Sequence, residues 1–195
     1  MGINNVIVYV REGADPAVDR VVTEYGGSRT TLVGSDPAAS VTTAVEAADG
    51  GADRIELCGA HGPLLHARVR EAVNDRVPVG AVMFGFESLT GVADYKARFG
   101  NEFLREAFIY IQPGSDPAVD RTVTANDHVR SIFVAVPDAS AAPAVAVQLV
   151  DGEGVRLIEL FGGFEPGDAA RVIEAIDARA PVGLPSYGYA GATAR

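Results

Sequence analysis

Gly13-Ala14-Asp15-Pro16-Ala17-Val18-Asp19-Arg20 returns almost unchanged as Gly114-Ser115-Asp116-Pro117-Ala118-Val119-Asp120-Arg121, and this repetition decides the fold. Each copy directly follows a short apolar stretch, Val8–Val10 in the first and Ile109–Ile111 in the second. The offset between the copies is 101 positions. A unit of this length is the size of a fold rather than of a solenoid or propeller repeat. We therefore expect an internal duplication of a complete α/β unit.

Two shorter motifs extend the duplication towards the C-terminus. Ile55-Glu56-Leu57 returns as Ile158-Glu159-Leu160, and Pro78-Val79-Gly80 returns as Pro181-Val182-Gly183. The offset here is 103 positions, so the second copy has gained two residues between the motifs. The duplication therefore covers most of the chain.

The composition is that of a soluble, acidic protein. The 195 residues are 48% apolar and carry a formal net charge of −10. Clustered Lys and Arg are needed to bind phosphates, so nucleic acid and anionic membranes are poor partners. The N-terminus lacks the basic segment of a signal peptide, which predicts a cytoplasmic protein. With Cys58 as the only cysteine and three scattered histidines, we expect neither a disulfide nor a metal site.

Each copy is predicted to alternate strands with helices as (βα)3β. Asp15-Pro16 is typical of a helix start. The apolar residues that follow it have the spacing of one buried helix face, which predicts a helix here and over 116–125 in the second copy. They are Val18, Val21, Val22 and Tyr25.

The domain prediction is a single domain over 1–195, made of a first repeat (1–90), a linking helix (91–105) and a second repeat (106–195). No Ser/Gly-rich linker separates the repeats, which favours one domain over two tethered ones.

Strands alternating with helices predict a parallel sheet. Two four-stranded halves can close into a small (β/α)8 barrel whose last helix is missing or rudimentary, although about 250 residues are usual for that fold. The alternative is two small open doubly wound parallel sheets packed as a pseudo-dimer. Glu56 and Glu159 lie inside apolar strands, where an open sheet covered by helices would desolvate them, so they favour the barrel.

The same two glutamates are the first catalytic candidates. In a barrel they would lie on opposite strands and point inward, where two carboxylates can divide into acid and base. His61 follows the third strand and is the best-placed histidine for proton transfer. The other interpretation is that each Glu is structural, bonded to the backbone or paired with an Arg.

Candidates for substrate binding lie at the ends of predicted strands. Ser186 and Tyr187 would orient the substrate, and aromatic side chains such as Phe84 and Tyr187 would form an apolar pocket. The other interpretation of Cys58 is a small, buried apolar residue. The full set is Cys58, Phe84, Glu87, Phe161, Ser186 and Tyr187.

Each half resembles a family of small bacterial α/β proteins of unknown function. The resemblance rests on Asp15-Pro16 with Arg20, on Ile55-Glu56-Leu57-Cys58-Gly59 and on Pro78-Val79-Gly80, and the second half keeps these motifs except that Phe161 replaces the Cys. It implies that single-repeat relatives pair and that this chain is a fused pair. It implies no mechanism. The duplicated half-barrels of histidine biosynthesis are similar in design, but their acidic residues at the ends of strands one and five have no matching pair here.

The sequence therefore favours a cofactor-independent enzyme that acts on a small metabolite by proton transfer, as an isomerase, lyase or cyclase. Glu56 and Glu159 would be the acid and base, with His61 assisting. The alternative is a non-catalytic small-molecule-binding or assembly protein with structural glutamates. Association into a homo-oligomer is left open.

Overall fold

A computed structural model describes residues 2–188 and divides the chain into two compact units. The first unit comprises residues up to Met83 together with the segment from Pro185, and the second comprises Phe84–Leu184. The boundaries of the predicted repeats and of the single domain stay predictions.

The first unit is an α/β unit with a mixed sheet. Its strands are β1 (Asn4–Val10), β2 (Arg20–Tyr25), β3 (Ser28–Ser35), β4 (Arg54–Leu57) and β5 (Val79–Phe84), and its helices are α1 (Ser40–Asp49) and α2 (Gly62–Val73). The strands follow the order β2-β3-β1-β4-β5, all parallel except β2, which is antiparallel to β3. One face of the sheet packs Val8, Ile55 and Leu57 against the apolar sides of α1 and α2.

The second unit repeats this plan. It contains α3 (Leu89–Arg98), β6 (Leu104–Ile111), β7 (Arg121–Ala125), β8 (Val129–Val136), α4 (Ala142–Glu153), β9 (Ile158–Phe161), α5 (Pro166–Ala175) and β10 (Val182–Ser186). The order is β10-β9-β6-β8-β7, again with the hairpin strand β7 antiparallel to its neighbour. Ile109, Ile132 and Leu160 form its core with α4 and α5. Helix α3 occupies part of the segment predicted to link the repeats.

The α/β class and all eight predicted strands are confirmed, but the (βα)3β arrangement is not. The segments predicted as helices after β1 and β6 form the hairpin strands β2 and β7 instead. Both strands are rich in β-branched residues, and the exposure of their side chains alternates along the strand. Gly26-Gly27, both with positive φ, form the two-residue turn to β3. The strand patterning therefore outweighs the helix-start signal.

That start signal instead builds a closed turn. The Asp15 side chain accepts the Ala17 N–H at 2.9 Å, while Asp19 accepts the Asp15 N–H at 2.8 Å and pairs with Arg11 at 2.7 Å. The second repeat has the same turn, in which Asp120 accepts the Asp116 N–H at 2.7 Å.

Strand order also departs from the barrel prediction within each unit. A (β/α)8 barrel places strands side by side in chain order. Here β1 lies between β3 and β4, and β6 lies between β8 and β9, which is the order typical of open doubly wound sheets. The open-sheet alternative predicts this order within a repeat, while its pseudo-dimer packing stays a prediction.

Candidate functional site

Glu56 lies on the face of the first sheet opposite α1 and α2. It is in register with Ile7 on β1 and Gly80 on β5, whereas its neighbours Ile55 and Leu57 face the helices. The side chain is fully buried, with 0% of the residue exposed. A carboxylate in such a place needs hydrogen-bond donors to offset its desolvation.

Three side chains surround this carboxylate. Asn5 Nδ2 donates to Oε2 at 2.9 Å and Tyr187 Oη donates to Oε1 at 2.6 Å. Arg54 Nε lies 3.9 Å from Oε1 and also donates to Asn5 Oδ1 at 3.2 Å. The structure therefore brings together two residues predicted for the site, Glu56 and Tyr187, and adds Asn5 and Arg54. In this arrangement Glu56 anchors the segment that follows β10.

Tyr187 is fixed as a hydrogen-bond donor. Burial and the adjacent Glu56 carboxylate raise the pKa of its phenol, and Arg54 opposes this shift. Its ring lies where a Cβ on Gly80 would be, because an added Cβ would come within 2.8 Å of Tyr187 Cε1. Glycine in the Pro-Val-Gly motif therefore makes room for the aromatic ring.

A second polar cluster lies beyond the carboxyl end of β4. Cys58 Sγ is 3.4 Å from His61 Nδ1, and His61 Nε2 is 3.0 Å from Ser40 Oγ at the start of α1. Cys58 Sγ also accepts the N–H of Val10, at the end of the neighbouring strand β1. The two strands run in parallel at the point where the strand order reverses, which is where ligands bind in open α/β sheets.

His61 has hydrogen-bond partners at both ring nitrogens. Nδ1 lies 3.3 Å from the Cys58 carbonyl oxygen, and Nε2 lies 3.0 Å from Ser40 Oγ, which itself donates to the Asp36 carbonyl oxygen at 3.1 Å. Burial lowers the pKa of His61 from its ordinary value of 6.5 to about 4, and the Cys58 carbonyl opposes that shift. The imidazole is therefore neutral at physiological pH and can accept a proton.

The cluster is closed to solvent. Ser40 is 0% exposed, Cys58 3% and His61 5%.

The second unit places Glu159 at the equivalent position. Glu159 is in register with Phe108 and Gly183 and is 4% exposed. Phe161 is fully buried and stacks on Phe108 with ring centroids 5.9 Å apart. Phe161 is therefore a packing residue in this unit. The predicted pairing of Glu159 with Glu56 stays a prediction.

Sequence reasoning missed a further carboxylate within a strand, the half-buried Glu106. It accepts the Tyr95 hydroxyl at 2.7 Å and the Ser131 hydroxyl at 2.6 Å. Burial raises the pKa of this carboxyl group, and the two hydroxyls partly offset the shift. Glu106 occupies the position of Asn5 in the first repeat, and a charged residue within the apolar strand 104–111 was the available signal.

The remaining predicted residues lie apart from these clusters. Phe84 packs on the small apolar cluster around Tyr95 and Leu104. Glu87 is exposed in the short 3-10 turn Phe86–Ser88, and Ser186 is exposed at the end of β10. Their predicted role in substrate binding stays a prediction.

A cavity opens beside α1 in the first unit. Its volume is about 360 Å³, and its walls combine apolar groups with two arginines, two threonines and an acid. They are formed by Asn4, Val6, Pro16, Ala17, Arg20, Arg29, Thr31, Val33, Thr43, Glu46, Ala47 and Gly50. The second unit has a cavity of about 260 Å³ beside α3, lined among others by Tyr95, Arg105 and Arg156.

Over residues 2–188 no three His, Cys, Asp or Glu side chains are grouped so as to hold a metal ion. In the same residues no helix is long and apolar enough to cross a membrane.

Comparison with known families gives a match that repeats along the chain. A family of unknown function, DUF6506, matches residues 4–97 and again residues 104–191. The chain belongs to this family. The double match agrees with the tandem duplication of a family unit that the sequence motifs predict.

Other comparisons add little. The curated proteins contain no match to the chain. Among solved structures, a carbohydrate transporter from Acidothermus cellulolyticus 11B in complex with myo-inositol matches at 15% identity, over 94% of this chain and 74% of that chain. Its TM-score is 0.29, so the similarity carries no conclusion about fold or function.

Proposed function

We propose that this chain binds a small molecule in the cavity of its first unit and that its repeated glutamates have a structural role. The observation that carries the proposal is the cavity itself. Half of its lining residues are polar or charged, among them Arg20, Arg29 and Glu46, and its volume lies in the range of small-molecule sites, so it suits a small polar metabolite.

The surroundings of Glu56 support the second half of the proposal. Both of its carboxylate oxygens accept hydrogen bonds, from Asn5 and Tyr187, and Arg54 lies nearby. A general acid or base must reach a substrate proton directly or through one water. A fully buried carboxylate with these partners is better suited to fixing the strands than to that task.

A thermal-shift screen against a metabolite library tests the proposal. A ligand at about 100 times its Kd adds about 2.7 kcal/mol, which raises the Tm by roughly 5–10 °C for a chain of this size. We expect Ala17→Phe, which fills the cavity from an exposed turn, to abolish the shift. Ala118→Phe is the matched control, since Ala118 is the equivalent exposed residue of the second repeat. A hit that survives Ala17→Phe, or a screen without hits, would contradict the proposal.

A second candidate function is the proton-transfer enzyme that the sequence favours. The specific observation behind it is the hydrogen-bonded series Cys58–His61–Ser40 at the switch point of the sheet. Its neutral imidazole would act as the base, and Glu56 with Glu159 would complete the acid–base set. In the same screen this function predicts that a hit is lost in His61→Gln and in Glu56→Gln/Glu159→Gln but kept in Ala17→Phe.

A further inference from the structure

An equivalent pair of arginines has different ionic partners in the two repeats. Arg121 and Arg130 of the second repeat lie on neighbouring strands of the hairpin β7–β8 and converge on one carboxylate. Arg121 Nη2 is 2.5 Å from Glu153 Oε1, and Arg130 Nη2 is 3.7 Å from Glu153 Oε2. Glu153, at the C-terminal end of α4, therefore pairs with both arginines.

The first repeat keeps the arginines and lacks the carboxylate. Arg20 and Arg29 hold the equivalent positions, 101 residues earlier, on the hairpin β2–β3. Helix α1 ends at Asp49, which pairs with Arg76 just as Asp151 of α4 pairs with Arg179. After this aspartate the first repeat has two glycines, whereas the second has Gly152, Glu153 and Gly154. Glu153 is thus one of the two residues that the second copy has gained.

The cavity of the first unit lies where this side chain would be. Arg20 and Arg29 line it from the hairpin, and Gly50 lines it from the end of α1. Arg29 has Glu24 at 3.7 Å, an exposed pair, while Arg20 has no ion-pair partner among residues 2–188. Two cationic groups therefore face a volume that a carboxylate occupies in the duplicated copy.

We infer that the cavity beside α1 is a binding site for a small carboxylic acid, whose carboxylate takes the place of the Glu153 side chain between Arg20 and Arg29. This inference rests on the proposed function and names its ligand class. Arginine suits this role because its planar guanidinium matches the geometry of a carboxylate. Thr31, which also lines the cavity, favours an acid that carries a hydroxyl or another polar group.

One residue of the cavity opposes the ligand. Glu46 of α1 lines the same volume, and its negative charge repels a carboxylate. Glu46→Gln is therefore expected to tighten the binding of an acid, whereas it would weaken the binding of a cation.

Propionate is the direct probe, because it is the free form of a glutamate side chain. We would titrate it at constant ionic strength and follow the Nε–Hε signals of the arginines by NMR. The expected result is a saturable shift of the Arg20 and Arg29 signals, with those of Arg121 and Arg130 unchanged. Propionamide, the neutral analogue, should give no saturable shift.

Variants distinguish the positive charge of the arginines from the geometry of their guanidinium groups. Arg20→Gln/Arg29→Gln should weaken propionate at least about tenfold, and Arg20→Lys/Arg29→Lys should retain part of the affinity. Arg20 and Arg29 are exposed, so these variants are expected to fold normally, which urea denaturation would check. As a positive control, Glu153→Ala should create a second propionate site at Arg121 and Arg130.

Three results would overturn the inference: no saturable shift in the wild type, an equal response to propionamide, or shifts confined to Arg105 and Arg156 of the other cavity. The proposed function can be tested separately from the inference about its ligand class. If an uncharged library compound loses its binding in Ala17→Phe but keeps it in Arg20→Gln/Arg29→Gln, the cavity binds a ligand that is not a carboxylic acid. That result would support the proposed function and contradict the inference. A screen in which no hit depends on Ala17 would remove both.

Discussion

His61 is expected to make the first unit lose stability as the pH falls below neutrality. Its pKa is lowered from 6.5 to about 4 in the folded protein, because the buried imidazole cannot be solvated when charged. The unfolded chain binds a proton near pH 6.5 and the folded chain does not. The stabilisation is therefore complete above about pH 6.5 and is lost progressively as the pH falls towards about 4.

The size of this effect follows from the shift. A difference of about 2.5 pKa units corresponds to about 3 kcal/mol at full protonation. The linkage relation predicts that the free energy of unfolding falls by about 2 kcal/mol between about pH 7 and about pH 5. Most of the remaining decrease is expected by about pH 4. Among the described residues, the groups hydrogen-bonded to the imidazole are the thiol and carbonyl of Cys58 and the hydroxyl of Ser40, none of which is a carboxylate that could compensate the new charge.

Urea denaturation of the wild type and of His61→Gln at pH 7 and pH 5 measures the effect. The variant has a lower stability at pH 7 because it loses the bond to Ser40, but its stability should fall by about 2 kcal/mol less than that of the wild type over this interval. His128→Gln, at an exposed loop histidine, should fall as the wild type does. Equal losses in the wild type and His61→Gln would refute the reasoning and place the imidazole in contact with water.

Three further changes test other parts of the structure. Tyr187→Phe removes a hydrogen bond to a buried carboxylate and should cost about 1.5–3 kcal/mol in urea denaturation; a double-mutant cycle with Glu56→Gln that shows no coupling would contradict the bond. Gly162→Ala should destabilise strongly, since φ is +88° and the new Cβ would lie 2.8 Å from a backbone nitrogen at the end of β6, while Gly13→Ala, with φ of +70° and open space, should cost only about 1–2 kcal/mol. Glu106 has a raised pKa, so its contribution to the free energy of unfolding is present at acid pH and is lost as the pH rises through that pKa. Glu106→Gln should abolish this loss when the free energy of unfolding is measured against pH. The same pH dependence in the wild type and the variant would contradict the prediction.

Much of the fold could be predicted from the sequence because strands and repeats leave strong local signals. The eight predicted strands are short, largely apolar runs, and each is found in the structure. The hairpin strand β2 was missed because Val18, Val21, Val22 and Tyr25 fit a helix spacing while Val21 and Thr23 also fit a strand alternation. For a segment this short the two periods overlap, and the Gly26-Gly27 turn was the stronger signal.

The site could be predicted only in part, because its contacts depend on distant pairing. Glu56 was identified as a carboxylate in an apolar strand, but its partners Asn5 and Tyr187 lie 51 and 131 residues away in sequence. The prediction of an inward, solvated pair of glutamates depends on a closed barrel and stays a prediction. His61 was identified from its place after a strand, whereas its burial depends on how α1 and β4 pack.

The arginine pairs offer a last prediction, in which each repeat is the control for the other. Arg121→Gln should lower the free energy of unfolding by roughly 0.5–1 kcal/mol, because it leaves the half-buried Glu153 with the more distant Arg130; partial exposure of both partners keeps the loss small. Arg20→Gln, on the equivalent strand of the first repeat, removes no ion pair within residues 2–188 and should leave stability unchanged in the absence of ligand. Adding propionate should reverse the comparison, stabilising the wild type and Arg121→Gln but not Arg20→Gln. If Arg20→Gln proved the more destabilising change without ligand, Arg20 would already have a structural partner, and the cavity would have no unmatched charge to offer an acid.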